Sequence, residues 1–153
     1  MKALQDIHAP DSICFGCGVK NERGLQIKSS WVDSEFVMYF TPRENHQAFD
    51  GVINGGILGT LLDCHSNWCA ASTLYEKDAD DHFPSTVTSE FHVKLKQPTP
   101  FGVELKVTAK PTVVAGDKVS IYAEIIAAGK VTATCNAIFI RVKSGHPAFH
   151  RWN

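Results

Sequence analysis

Residues Gly51–Tyr75 read GVINGGILGTLLDCHSNWCAASTLY. Apolar residues recur through it at helical spacing, at Ile57, Leu58, Leu61, Leu62, Trp68, Cys69, Ala70, Ala71 and Leu74. They go almost all the way round the axis, so the predicted helix is buried on most sides. One formal charge, Asp63, sits in its middle. Burying a lone carboxylate is costly unless it is paired or neutralised, and such groups concentrate at functional sites.

The helix start is equally unusual. Asn54 is a good N-cap, but Gly55 and Gly56 weaken a first turn by roughly 1 kcal/mol each relative to alanine. Without Cβ atoms there, a ligand can approach the free amides at the positive end of the helix dipole. One reading makes this bare N-terminus an oxyanion site and Asp63 a base or nucleophile. The other makes it a glycine turn entering a core helix whose Asp63 bonds a neighbour. From Gly56 to Asp63 is roughly 10 Å along the axis, at 1.5 Å per residue. Either another segment supplies the missing partner, or two copies meet and each contributes half. The second option predicts a symmetric dimer with sites at its interface.

The rest of the chain sets bounds. At 153 residues, one domain over 1–153 is expected, with an irregular segment over 1–23 and a tail over 143–153. A net charge of −1 argues against broad attraction to nucleic acid or membrane, and no apolar run is long enough to span a bilayer. The opening MKALQDIHAPDS lacks a signal-peptide core. Five cysteines, an odd number, suit reduced thiols better than a disulfide framework. The expected location is cytoplasmic.

Along the chain, a short helix is expected near Leu4–His8. Cys14 and Cys17 form a CxxC flanked by Gly16 and Gly18. Tetrahedral zinc needs four ligands and no second close pair follows, although His8 or a second copy would add to the count. The pair is therefore read as a tight turn with two packed thiols, and no metal site is assigned. Leu25–Val32 and Glu35–Thr41 read as a hairpin across Asp33 and Ser34. Pro42–Asp50 reads as a polar loop carrying His46 and Gln47 towards the helix start.

Glu76–His82 reads as an exposed connection, followed by strands at Ser85–Gln97, Val103–Val114, Lys118–Ala128 and Val131–Val142. In the first of these, Val87, Phe91, Val93 and Leu95 are expected on one face, with Thr88, Glu90, His92, Lys94 and Lys96 on the other. Turn signals fall at Pro98–Gly102, Ala115–Asp117 and Gly129. Two strands, one long helix and four strands predict an α+β fold in which an antiparallel sheet of about six strands wraps that helix. The tail Ser144–Asn153 gives no pattern to read.

Three runs carry a family resemblance: CFGCGVKNERGLQI from Cys14, HQAFDGVINGGILGTLLD from His46, and STVTSEFHVKLKQP from Ser85. Together they resemble the PaaI-type branch of the hotdog-fold thioesterases, from Cys14 to about Val142. The most specific part is G-x-x-[HN]-G-G-x-x-x-x-L-x-D, Gly51 to Asp63. The resemblance implies an acyl-CoA thioester hydrolase, a homodimer or a dimer of such dimers, with composite sites between subunits. The coenzyme A belongs to the substrate, and no separate cofactor is implied.

Carried over residue by residue, the resemblance gives the backbone N–H of Gly56, with Gly55, the task of polarising the thioester carbonyl. It makes Asp63 of the facing subunit the catalytic carboxylate. Thr88 falls where a hydroxyl helps hold the attacking water, and Lys118 where basic residues meet the CoA phosphates. Lys94, Lys96 and Arg141 are weaker candidates for that contact. His46 and Gln47, near the proposed anion site, and Asn67, near Asp63, are read as substrate contacts. The family usually has histidine where this chain has Asn54, and often a second carboxylate where it has Cys64. Asn54 can cap the helix and donate a hydrogen bond but cannot supply a titrating proton. A non-catalytic acyl-CoA-binding protein is therefore the alternative; a hotdog hydratase is disfavoured by the motif.

On the helix, Thr60, Ser66 and Asn67 share a face with Asp63. They either orient the carboxylate or satisfy sheet backbone groups. Cys64 and His65 are adjacent, so they point about 100° apart and form no nucleophile–base pair. His65 reads as a satisfied core residue. Trp68 and Phe91 suggest an aromatic or medium acyl group, or ordinary core. No G-x-S-x-G, Walker A or dinucleotide fingerprint occurs.

Overall fold

The computed structural model describes residues 1–153. A short helix, α1 (Leu4–His8), opens the chain, and a hairpin of β1 (Ser30–Val32) and β2 (Glu35–Phe40) turns at Asp33, as expected. The strand predicted from Leu25 begins only at Ser30. The backbone of Leu25 and Ile27 is already committed: their N–H groups donate to the carbonyls of Phe15 and Gly16, at 2.8 and 2.9 Å. Gln26 between them has φ +51, a conformation no strand contains.

The predicted loop over 42–50 also contains structure. A single 3-10 turn (Glu44–His46) leads into β3 (Gln47–Phe49), which pairs with β4 (Val52–Ile53) around Gly51 at φ +84. This small hairpin is anchored by Ile53 N–H on the Thr99 carbonyl and by Phe101 N–H on the Gly51 carbonyl.

Next comes α2 (Gly55–Asp78), running past Tyr75 to end at Ala79 in the left-handed conformation. Four strands follow: β5 (Thr86–Leu95), β6 (Leu105–Ala115), β7 (Lys118–Ala127) and β8 (Lys130–Arg141). The main sheet is antiparallel, in the order β1-β2-β6-β7-β8-β5. The fold is α+β, six strands around one long helix, as the sequence predicts.

In β7, Val119, Ile121, Ala123, Ile125 and Ala127 alternate with more exposed residues and meet Leu61, Leu62 and Trp68 of the helix in one core. β5 breaks its alternation. Its register against β8 shifts between Thr88 and Glu90, leaving a bulge at Ser89. The bulge changes which face the side chains reach, so Thr86 and Thr88 before it touch the helix, as Phe91, Val93 and Leu95 do after it. The single unbroken face drawn from the sequence is therefore corrected: Thr88 lies inward. β5 is also an edge strand, with Phe91 and Leu95 45% and 56% exposed.

The tail is not idle. Trp152 is buried against Trp68, ring centroids 4.4 Å apart, and its Nε1–H donates to the Pro84 carbonyl at 2.9 Å. No helix is long and apolar enough to cross a membrane.

His65 is fully buried and fully bonded. Its Nε2–H donates to the Phe36 carbonyl at 3.3 Å, and its Nδ1 accepts from Ser29 Oγ at 2.8 Å. Gln5 completes the chain by donating to Ser29 Oγ and accepting from Ser29 N–H. Burial pushes the ring down to about 3, against the opposing effect of the Phe36 carbonyl. The native state thus refuses a proton that the unfolded chain accepts below its ordinary 6.5. Stability is retained above that value and falls on acidification, by about 1.4 kcal/mol per pH unit, until the folded ring itself protonates. Urea unfolding of wild type and His65→Gln across this range tests the point. The two stability curves should run parallel above about 6.5 and converge or cross below it; parallel curves throughout would refute it.

Candidate active site at the helix start

The first turn of α2 is capped more completely than its sequence suggests. Asn54 is extended, and its Oδ1 accepts from Gly56 N–H at 2.8 Å and from Ile57 N–H at 3.2 Å. Leu58 N–H takes the Asn54 carbonyl at 3.2 Å. The expected bare N-terminus is corrected accordingly: the Gly56 amide is engaged, and the Gly55 N–H is the one left without a partner. Because Oδ1 must face the amides, the Asn54 Nδ2 is turned outward as a free donor.

Between this turn and β5 runs a groove of about 330 Å³, lined by Gly55, Gly56, Gly59, Thr60 and Asp63 on one wall and Phe91, Val93 and Leu95 on the other. The three glycines leave the helix wall low. Asp63 lies on that wall with Thr88 Oγ1 donating to its Oδ1 at 2.7 Å. Burial pushes the carboxyl above the usual aspartate range, and the Thr88 hydrogen bond and the Arg151 guanidinium hold it partly back. A half-buried carboxylate, oriented by one hydroxyl and open to a cleft, has the chemistry to accept a proton.

The other predicted residues are spread more widely. His46 is buried, stacked on Phe40, with Nδ1 accepting from Arg43 N–H at 3.0 Å. Its carbonyl accepts from Asn54 N–H at 2.9 Å, so it positions the cap from behind. Gln47 spans the small hairpin, accepting from Gly51 N–H and donating to the Glu44 carbonyl. Asn67 is buried against β5, with Thr86 Oγ1 donating to its Oδ1 at 2.6 Å. These three hold the scaffold and do not line the groove, a correction to their reading as substrate contacts.

Lys118 is also displaced. It follows a turn whose Gly116 carbonyl accepts from Lys77 Nζ, near the last turn of α2, roughly 33 Å along the helix from Gly55. Arg141 is enclosed by Asp78, Asp80 and Asp117 and is not free for a phosphate. Thr60 Oγ1 donates back to the Gly56 carbonyl, and Trp68 is fully buried core with no access to a ligand.

Arg151 was missed. Its guanidinium sits over the Trp152 ring, 4.4 Å to the centroid, and Nη1 donates to the Thr86 carbonyl at 2.9 Å. That places a cation behind Asp63. The only available signal was a tail carrying two aromatic residues, Phe149 and Trp152.

No protein-family model matches the sequence, and no curated protein matches it. Solved structures do. A thioesterase superfamily protein from Shewanella loihica is 26% identical, over 76% of this chain and 91% of that one, with a TM-score of 0.64. The PaaI protein from the E. coli phenylacetic acid degradation operon is 19% identical, over 78% and 81%, at 0.65. This chain has the hotdog fold. A Bacillus halodurans protein solved with CoA is 21% identical, over 78% and 76%, at 0.64. The resemblance first drawn from the glycine motif thus extends to the three-dimensional arrangement of sheet and helix.

A raised carboxyl has a stability signature. Folding shifts Asp63 towards its neutral form relative to the unfolded chain. The contribution of that form is therefore complete below the unfolded value of 3.8 and is lost as the pH rises through the folded pKa. Asp63→Asn keeps an acceptor for Thr88 and removes the charge. Its melting temperature should gain on wild type as pH rises from about 3.8 to neutrality, while a pH-independent difference would contradict the raised pKa. Thr88→Val should push the Asp63 titration higher still, followed by the carboxyl carbon shift in NMR.

Proposed function

We propose that the chain hydrolyses an acyl-CoA thioester to a free acid and CoA in the groove between α2 and β5, as a homodimer. The observation that carries this reading is the Asp63–Thr88 pair, a buried base in a cleft that opens at a glycine-rich helix start. The similarity to a thioesterase superfamily structure supports it, and a similar fold solved with CoA supports the ligand class.

In this reaction the thioester oxygen sits at the Gly55 N–H, with the outward Nδ2 of Asn54 as a second donor. Gly56 acts mainly through the helix dipole while its own amide is held by the cap. Asp63 takes a proton from water, whose oxygen attacks the carbonyl carbon, and Thr88 holds that water by its lone pairs. The tetrahedral oxyanion collapses, the C–S bond breaks, and the proton on Asp63 passes to the departing sulfur. An oxyanion donor of this kind is worth about 10²–10³-fold and a positioned base about 10²–10⁴-fold. Asp63 thus serves first as base and then as acid, so a histidine in place of Asn54 is not required.

The two halves of the machinery, Gly55 and Asp63, lie roughly 12 Å apart on one helix, so the site is composite: amides from one protomer, Asp63 from its partner. The exposed edge of β5, with Phe91 and Leu95, is the surface that suits such pairing. Phe91, Val93 and Leu95 make the acyl end of the groove apolar. The five unpaired thiols suit a reducing, cytoplasmic setting.

A panel of acyl-CoAs assayed by thiol release, with sedimentation of the same samples, tests the proposal. Wild type should release CoA as a dimer, and Asp63→Asn should lose about 10²–10⁴-fold in kcat while remaining folded. Saturable acyl-CoA binding without release would favour the non-catalytic alternative, for which Asn54 in the place of histidine is the motive. A strict monomer with full activity would overturn the composite site.

A further inference from the structure

The fold brings a third cysteine to the CxxC turn. Cys14 and Cys17 stand before β1, yet Cys64 of α2 lies between them in space, and the three Sγ atoms all fall within 4.8 Å of one another. The Cys14 and Cys64 sulfurs are 3.9 Å apart. In a tetrahedral zinc–thiolate site with Zn–S of about 2.3 Å, sulfurs are about 3.8 Å apart. The trio therefore stands close to ligating geometry.

The backbone is shaped to hold it there. Gly18 N–H closes the turn on the Cys14 carbonyl at 2.8 Å. A Cβ on Gly16 would overlap the Cys64 sulfur, and one on Gly18 would strike the Cys14 backbone, so both positions need glycine for the loop to seat against the helix. A second observation points inward. Trp68, a neighbour of the Cys17 sulfur, is fully buried and its Nε1–H has no other hydrogen-bond partner. Neighbouring N–H donors of this kind support metal-bound sulfur.

We propose that Cys14, Cys17 and Cys64 bind one zinc ion that fastens the N-terminal loop to the central helix one residue beyond Asp63. Binding replaces three S–H bonds by three Zn–S bonds and releases three protons to solvent, with no change of oxidation state. Cys17 is buried and Cys14 only partly so, which leaves the fourth position towards Cys14 for a water molecule. The ion cross-links segments fifty residues apart in sequence, so its effect is on stability and on the placement of Asp63.

The full chain is expressed with zinc and purified without chelator, and its metal content is measured by mass spectrometry. About one zinc per chain is expected. Exchange for cobalt(II) should give thiolate charge-transfer bands and the visible bands of a tetrahedral ion. Cys17→Ser and Cys64→Ser should each lose bound zinc by at least about tenfold, and Cys69→Ala, a buried thiol outside the cluster, should keep it. As a check independent of folding of the variants, titrating wild-type thiols with an organomercurial should release zinc as three thiols react. Metal-free protein after reconstitution, zinc retained in Cys64→Ser, or a Cys14–Cys64 disulfide under reducing conditions would each overturn the proposal.

Discussion

The fold depends on hiding one helix. α2 presents apolar side chains around nearly its whole circumference, from Leu58 to Leu74. A sheet covers one side of a rod and no more, so other segments must cover the rest. β6, β7 and β8 supply one side through Val107, Ile121, Ile125 and Phe139. The N-terminal segment brings Ala9, Cys17, Leu25 and Ile27 into the same core, and Trp152 of the tail closes over Trp68. The irregular ends of the chain are thus part of the folding problem that the helix poses. What stays uncovered is the strip between the glycine-rich start and β5, and Asp63 lies on that strip.

This placement sets the balance of forces on Asp63. Burial disfavours its charge, while Thr88 and the Arg151 cation favour it. A hydrogen bond to a charged group is worth roughly 1.5–3 kcal/mol, and here it is not enough to restore an ordinary aspartate, because burial remains the leading effect. The result is a carboxylate more basic than usual yet held in one orientation. The same bulge at Ser89 that turns Thr88 inward also turns Phe91 into the groove, so one extra residue in an edge strand sets both the partner of Asp63 and the apolar wall of the groove.

Periodicity exposed the helix and the last four strands, because each carries a regular run of apolar residues in sequence and each ends at a glycine, proline or charged turn. It failed where the backbone is satisfied locally or by a distant segment. Residues 25–29 look like a strand, but their amide groups belong to the turn at Phe15 and Gly16 and to Gln5. The bulge in β5 leaves no mark in a run that still alternates. Arg151 and Cys64 reach their neighbours only through tertiary packing, which spacing along the chain does not encode. Asp63, Thr88 and the glycines could be singled out because a charge in an oily helix and glycine in a first turn are locally unfavourable; Lys118 and Asn67 had no such signal behind them.

The separation of helix start from carboxylate decides how the proposed site must be assembled. Along α2 the Gly55 amide and Asp63 lie more than two turns apart, yet both face the same open edge beside β5. Two copies joined antiparallel through that edge would set their helices running in opposite directions, related by a two-fold axis. If that axis passes midway between Gly55 and Asp63, the amide of one protomer falls opposite the carboxylate of the other, and the operation repeats the match at a second site. The separation of roughly 12 Å that prevents one helix from completing the proposed reaction becomes the offset that a symmetric pair requires. An edge strand with exposed aromatic and aliphatic side chains, otherwise an aggregation hazard, then has a defined occupant: its own copy.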